Sequence, residues 1–373
     1  MPNQKRNLRC IATYRIFSRM YFYLPILFPL FYFAKESVLH VEILFALYNL
    51  AAVIFLSLAK LTIKRIGHKL TLILGEAFKI IGLLCLLFDI KNFFVLIIAQ
   101  IIMGCGYAFI VSNDTVILQQ TFSFENSDAY HKAQSSTNSY MFVSLLVAGI
   151  LGVIVFFYSP NLVLIFSILA AIISLFSIVI MYYQHISSST QKLIAPKVDK
   201  MALFYYFIIR GLVLSVFVGI LPYFFFILLK INLKEFAVLW AAFTLSGFIS
   251  SKYLIHFVKH LSLSLVLPIS AIMLLIALSL LLFKNFYLCI LTTFLFGITS
   301  GFVRPLTIAK INTTIYNVEE TLKKAELYYG LLSTVILLLT GIWLQFLNFN
   351  SYIILLMVLC CFYFIPFKKI CNT

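Results

Sequence analysis

The chain has 373 residues, of which 63% are hydrophobic and 11% charged, and its formal net charge is +16. A soluble globular domain averages about 45–50% apolar and about 25% charged residues, so this composition excludes one and describes a polytopic membrane protein. The Lys and Arg residues fall between apolar runs, where they read as the positive bias of short cytoplasmic loops and not as a nucleic-acid surface.

The N-terminal segment carries Lys5, Arg6, Arg9 and Arg15 ahead of an apolar run from Tyr21. No small-residue cleavage site follows, so it reads as a retained first helix with a cytoplasmic N-terminus. About 20 apolar residues suffice to cross a bilayer. Hydropathy predicts twelve such spans, at 17–34, 41–60, 70–89, 93–120, 139–158, 162–184, 203–229, 236–254, 263–283, 287–312, 326–347 and 351–367. The turns that this count places outside hold Lys35, Lys91, Lys230, Lys234 and Lys284. The tails and inner connections hold twenty Lys and Arg, from Lys5, Arg15 and Arg19 through Lys60, Lys64, Arg65 and Lys69 to Lys368 and Lys369. Twenty against five fixes both termini in the cytoplasm. The longest inner connection, Gln184 to Met201, is polar and lies at the chain midpoint. The expected organisation is therefore an N-terminal six-helix bundle (1–184), a cytoplasmic linker (185–202) and a C-terminal six-helix bundle (203–373).

Seven cysteines show no C-x-x-C spacing, and five lie inside apolar runs. They indicate neither a disulfide framework nor a metal site. No cofactor is expected.

The fourth span, Phe93 to Gln120, carries a small-residue step, Gly104-x-Gly106-x-Ala108, of the kind that lets membrane helices approach closely. It then carries Asp114. A carboxylate in a spanning helix is costly, usually faces protein or a wet cavity, and marks a functional site. The other ionisable residues away from span ends are Glu76 and Lys79 in the third, Arg210 in the seventh and Arg304 in the tenth. Glu76 and Lys79 are three apart on one helix face and can pair. Pro25 and Pro29, Pro222 and Pro305 interrupt spans one, seven and ten, where broken helices mark hinges, gates and sites.

Three stretches carry a family resemblance. Lys60-Leu-Thr-Ile-Lys64-Arg65-Ile-Gly67-His68-Lys69 resembles the loop between helices two and three of the major facilitator superfamily, G-x-L-a-D-R-x-G-R-K. Arg65, Gly67 and Lys69 match, while Lys60, Lys64 and His68 depart from it. Gln100-x-x-x-Gly104-x-Gly106-x-Ala108, followed by Ser112-Asn113-Asp114, resembles the fourth-helix pattern, with Gln100 in place of Arg. Gly301-Phe-Val-Arg304-Pro305, leading through Asn312 to Thr321-Leu-Lys323-Lys324-Ala325, resembles the tenth helix and its cytoplasmic exit. The resemblance implies two pseudo-symmetric six-helix bundles, with helices one, four, seven and ten around a central cavity. It implies a gating loop at Lys64, Arg65, Gly67 and Lys69. It also makes Asp114, Asn113, Arg210, Arg304, Tyr107 and Tyr223 candidates for substrate binding or coupling, with Tyr21 and Tyr23 beside them.

The expected function is secondary active transport of a small organic solute across the cytoplasmic (inner) membrane by alternating access, coupled to protons, by a monomer. Arginine forks suit carboxylate or phosphate, so Arg210 and Arg304 point to an anionic solute such as a carboxylate metabolite or siderophore. Asp114 is the candidate proton carrier, with Arg304 and Arg210 as its candidate partners. Drug efflux by the same fold is the alternative. A non-transporting receptor or scaffold is another, kept open by the departures at Lys60, Lys64, Gln100 and Gln120. A membrane-embedded enzyme finds no H-E-x-x-H, G-x-S-x-G or His cluster in the chain, and a nucleotide-driven pump finds no P-loop.

Overall fold

The computed structural model describes residues 2–33, 37–111, 113–121, 127–182, 200–258, 260–310 and 315–362. Ser112, Asn312 and residues 185–199 of the expected linker lie outside them. The described residues form helices joined by short turns: α1 (Pro2–Phe17), α2 (Leu27–Phe33), α3 (Val38–Phe88), α4 (Phe93–Ile110), α5 (Asn113–Thr121), α6 (Ser127–Phe156), α7 (Pro160–Val179), α8 (Lys200–Ser215), α9 (Leu221–Tyr223), α10 (Leu233–Ile249), α11 (Ile255–Val258), α12 (Leu263–Leu281), α13 (Phe286–Lys310), α14 (Ile315–Phe346) and α15 (Phe349–Phe362). Among them, eight helices are long and apolar enough to cross a membrane, and Leu265–Leu281 and Phe349–Cys361 are shorter apolar helices. The protein is an all-α polytopic membrane protein.

The first span starts earlier than the expected 17–34 and is less regular. Its α-helix runs from Pro2 to Phe17, breaks over Ser18–Tyr23, and resumes through a 3₁₀ turn at Leu24–Ile26 into α2. Pro25 sits at the start of that turn and Pro29 within α2. Pro25 lacks an N–H, so a helix start is where it costs least. Inside a bilayer, the carbonyls freed by such a break need other donors. Lys79 supplies one, its Nζ donating to the Ser18 carbonyl at 3.2 Å.

The connection expected as a loop between spans two and three is a single-residue turn. α3 runs 51 residues, and only Gly67 leaves helical geometry, at φ 79°, ψ 172°. That region of backbone space is essentially open only to glycine, so one residue turns the chain between spans two and three. Lys64 and Arg65 are exposed on the helix before the turn. Lys69 follows it and caps α7, its Nζ donating to the carbonyls of Val179 at 2.9 Å and Met181 at 2.7 Å. Arg6 and Asn7 donate to neighbouring carbonyls, of Ile180 and Tyr182. The N-terminus, the Gly67 turn and the end of α7 therefore share one face, here the terminal face.

The opposite face gathers the short turns, whose helix starts are well specified. Ser37 and Asn92 accept backbone N–H groups of their first turns, and Asn232 with Glu235 forms a reciprocal capping box. Exposed Phe88, Phe94, Tyr158, Phe283, Tyr287 and Phe346 ring this end, as an interfacial aromatic belt does.

Close packing rests on small residues. A Cβ on Gly104 would lie 2.3 Å from the Tyr48 carbonyl oxygen and 2.9 Å from Ala51 Cβ; one on Gly106 would lie 2.8 Å from the Gly75 carbonyl oxygen. The two glycines thus seat α4 against both legs of α3. The first leg of α3 also lies along α14. Val53 approaches Gly330 and Glu42 approaches Gly341, eleven residues apart on each helix and in reversed order, so the pair is antiparallel.

Pro222 lies in α9, between π-helical turns at Val216–Ile220 and Phe224–Leu228. Such turns re-satisfy the backbone around a proline at membrane depth. Pro305 lies inside α13, one residue after Arg304, and the helix continues past it to Lys310.

Gly104→Ala tests the α3–α4 contact. Overpacking typically costs about 1–3 kcal/mol. The thermal unfolding midpoint of the purified variant in detergent should fall, and an unchanged midpoint would remove the contact.

Candidate functional site

A cavity of about 280 Å³ lies among helices from both ends of the chain. The broken first span contributes Arg19, Tyr21, Tyr23 and Leu24; α3 contributes Phe45, Tyr48 and Asn49; α4 contributes Gln100, Met103 and Tyr107; and α6 contributes Asn138, Met141 and Phe142. From beyond the linker come Arg210, Phe243, Ser300, Arg304, Tyr329 and Ser333. The lining is largely apolar and aromatic with a few polar groups, as in small-ligand sites generally. Its charged members are Arg19, Arg210 and Arg304, with no carboxylate among the described lining residues.

Two ion clusters flank it. In the first, Asp114 serves two cations. Its Oδ1 lies 2.8 Å from Arg304 Nη2 and its Oδ2 3.0 Å from Arg15 Nε. Arg15 is 1% exposed and also donates to Gln134 Oε1 and Thr137 Oγ1, while Arg304 donates to Thr115 Oγ1. The expectation that Arg15 is a cytoplasmic tail charge is therefore corrected. Ile11, Tyr14, Arg15 and Ser18 are all buried, at helical spacing, so the packed stripe carries the arginine inward with it. The pairing expected between Asp114 and Arg304 is present, whereas Arg210 is engaged elsewhere.

Arg210 pairs with Glu326 of α14 in the second cluster. Tyr206 bonds to both. The Tyr107 hydroxyl accepts from Arg210 Nη2 at 2.8 Å and donates to Glu326 Oε2 at 2.9 Å. The guanidinium also lies 4.7 Å from the centroid of the Tyr329 ring, a cation–π contact. Tyr107 on α4 is thereby tied to α8 and α14. The expected eleventh span begins at 326, which leaves Glu326 at its edge. α14 in fact begins at Ile315, and Leu322, Glu326, Tyr329 and Ser333 share a buried face.

Glu76 and Lys79 do form a pair, at 2.5 Å. Tyr14 and Ser174 each donate to the Glu76 carboxylate at 3.0 Å. This bonded cluster ties α3 to α1 and α7 and sits beneath the helix break. It is not among the cavity-lining residues.

Asn113 is buried away from the cavity, with Nδ2 donating to the Phe109 carbonyl and Oδ1 2.7 Å from His68 Nδ1. It thus links α5 to the Gly67 turn. Tyr223 also lies off the cavity, stacked on Phe349 with centroids 6.5 Å apart.

Arg19 is the residue that sequence reasoning places in the tail and the structure places in the cavity. It occupies the break between α1 and the Leu24–Ile26 turn, and Nη1 donates to the Tyr21 hydroxyl at 3.2 Å. No carboxylate among the described residues lies within ion-pair distance of it. Around the cavity, Arg15, Arg19, Arg210 and Arg304 face Asp114 and Glu326, so two positive charges are left over among the described residues. No group of three His, Cys, Asp or Glu that could hold a metal occurs among the described residues.

Contacts between the chain before the linker and the chain after it lie on both sides of the cavity. Toward the terminal face these are Asp114 with Arg304, Asn138 with the Gly301 carbonyl, and Ser139 with Ser251. Toward the opposite face, Leu24, Pro25 and Phe28 line one small gap together with Phe217, Pro222, Phe236 and Trp240.

Asp114→Asn should destabilise the protein more than Arg304→Gln. The first leaves two buried guanidinium groups without a counter-charge; the second leaves the Arg15–Asp114 pair intact. Breaking a buried pair costs about 3–5 kcal/mol. Thermal unfolding of the two purified variants gives the order, and the reverse order would refute this account of the cluster.

Comparison with known proteins agrees with this architecture. The sequence model of the Major Facilitator Superfamily matches residues 12–336. No curated protein matches the sequence. The fold is similar to that of the human organic anion transporter MFSD10 (TETRAN), with a TM-score of 0.74 at 12% identity over 99% of this chain and 100% of that one. It is also similar to a point mutant of the nucleoside transporter NupG, with a TM-score of 0.73 at 11% identity over 99% of this chain and 100% of that one. The chain belongs to the Major Facilitator Superfamily of membrane transporters.

Proposed function

We propose that the protein is a secondary transporter of small organic anions. It works by alternating access between two six-helix bundles, residues 1–184 and 203–373, joined by the segment 185–202. Loop charge supports the cytoplasmic membrane as its location, with both termini inside, so that the terminal face is cytoplasmic. It acts as a monomer, and proton movement drives the flux.

The observation that carries the anionic reading is Arg19. A guanidinium in a helix break lines the cavity with no carboxylate within ion-pair distance among the described residues, in a surround whose other charges (Arg15, Arg210 and Arg304 against Asp114 and Glu326) already leave one positive charge over. A solute carboxylate or phosphate would complete that pairing in a fork geometry. Arg304 and Arg210 line the same cavity but are held by Asp114 and Glu326, so they shape the field while Arg19 is free to bind. The structural likeness to an organic anion transporter is consistent with this choice, and at 12% identity it speaks to the fold.

The ion-paired state of Asp114 changes its expected role. Two guanidinium groups stabilise the carboxylate form, so Asp114 serves as a latch toward the cytoplasmic face and not as the proton carrier.

The test is a thermal-shift panel of small mono- and dicarboxylates, phosphate esters, neutral nucleosides and cationic drugs on purified protein, followed by flux of the hits in proteoliposomes. Anions should stabilise the protein. Arg19→Gln should weaken that binding about 10- to 100-fold, the equivalent of one charge-assisted contact worth about 1.5–3 kcal/mol. Selective stabilisation by cationic drugs would favour drug efflux instead, and unchanged anion affinity in the variant would remove Arg19 from the site.

A further inference from the structure

Among the described residues, one buried carboxylate takes no part in any of the three ion-paired clusters. Glu42, on the first turns of α3, is 0% exposed, and neither of its oxygens has a hydrogen-bond partner among the described residues. It lies seven residues from the cavity residue Asn49, about 10 Å along the helix toward the opposite face at about 1.5 Å per residue. Two glycines from beyond the linker make its slot. A Cβ on Gly219, in the π-helical turn, would lie 2.6 Å from Glu42 Oε2 and 3.0 Å from Oε1; one on Gly341 of α14 would lie 2.9 Å from Glu42 Cβ. Leu39 and Leu337 complete the wall.

The groups facing it are almost all apolar. The π-helical turn Val216–Ile220 offers no titratable side chain, and the stretch of α14 around Gly341 offers none. α15 offers Tyr352, whose hydroxyl is engaged with Thr340 Oγ1 at 2.8 Å and the Ile336 carbonyl at 3.1 Å. On α3 itself, His40 is exposed and points at the Phe93 ring, 4.7 Å between centroids.

We propose that Glu42 is a proton-binding site that couples opening of the opposite face to proton release. An ionised carboxylate sealed here with no partner would cost several kcal/mol or more, so with the slot closed the group is the neutral acid. The slot exists only while α3 lies against α14 and the π-helical turn. Parting them admits water. The O–H bond of the acid then breaks, the proton passes to water, and the carboxylate is left solvated. The closed form thus holds one proton more than the open form. Acid favours closure, and the open-to-closed ratio rises up to tenfold for each pH unit between the two affinities. The device rests on the transporter reading only for what the opening accomplishes.

Two measurements on the full chain in lipid nanodiscs test it, and neither needs a transported solute. Infrared difference spectroscopy, wild type minus Glu42→Gln, should show at neutral pH the carbonyl stretch of a carboxylic acid that lacks a hydrogen bond. Keto-aromatic residues at exposed Phe94 and Tyr287, each near the opposite face, can carry a distance ruler and leave the native cysteines in place. In wild type the ruler distance should lengthen as pH rises from about 5 to about 9, with a slope of up to one proton. Glu42→Gln, isosteric with the neutral acid, should stay short at every pH, and Glu42→Asp should restore a pH response. Absence of the acid band, a wild-type distance that ignores pH, or an unaltered response in Glu42→Gln each overturns the proposal. The labelled chain with its native Glu42 is read without any Glu42 variant, so a distance that ignores pH overturns the proposal even if those variants do not fold. A pH-responsive gate that binds no anion would sink the anion reading and leave this one standing.

Discussion

The structure depends on how it buries charge. Taking an ion from water into a low-dielectric interior costs several kcal/mol, and only a close, well-bonded counter-charge offsets that cost. Asp114 shows the constraint at its sharpest. One carboxylate holds Arg15 from the start of the chain and Arg304 from beyond the linker, and Gln134, Thr137 and Thr115 take up guanidinium hydrogens that it cannot. Four helices meet at this point because no smaller set could satisfy both cations. The Arg210–Glu326 cluster does the same with tyrosine hydroxyls, and the Glu76–Lys79 cluster secures the break in the first span. Each cluster is a place where the bundle cannot slide by a residue without exposing a charge to apolar surroundings.

That economy also shapes the cavity. The paired arginines keep a positive field without being available, and Arg19 alone among the described lining cations makes no ion pair. A helix break puts it there. In a continuous helix its side chain would be committed to a packed face; in the break, it projects from backbone that neighbouring groups have already satisfied. The proposed seat of an anion and the cost of interrupting a membrane helix thus fall to the same short stretch of chain.

Much of this is legible in the sequence, for physical reasons. Hydropathy finds spans because lipid demands continuous apolar helices, and it places the spans within a few residues at most ends. It finds Asp114 and Arg304 because isolated charges in long apolar runs stand out. It loses Arg15, Arg19, Glu42 and Glu326 for the opposite reason. All four lie near span ends, where a hydropathy window cannot tell a tail or an interface from a helix that continues inward. The signal that distinguishes them is periodic. Ile11, Tyr14, Arg15 and Ser18, and likewise Leu322, Glu326, Tyr329 and Ser333, keep one helical face in register across the polar residue. The Gly67 turn passes for a loop in sequence because its charges suggest solvation, when a single glycine conformation is all the chain needs to reverse there.

That turn has a mechanical consequence. A loop of several residues would give two helices slack, so that one could shift while the other stayed. A joint of one residue has almost none. The leg of α3 that carries Glu42 and the leg that carries Glu76 and Lys79 form an elbow with a single residue at its joint. The forearm is pinned at its start, where Lys69 grips the end of α7. The two membrane surfaces are therefore joined here through covalent backbone, by way of one glycine, and not only through a chain of side-chain contacts.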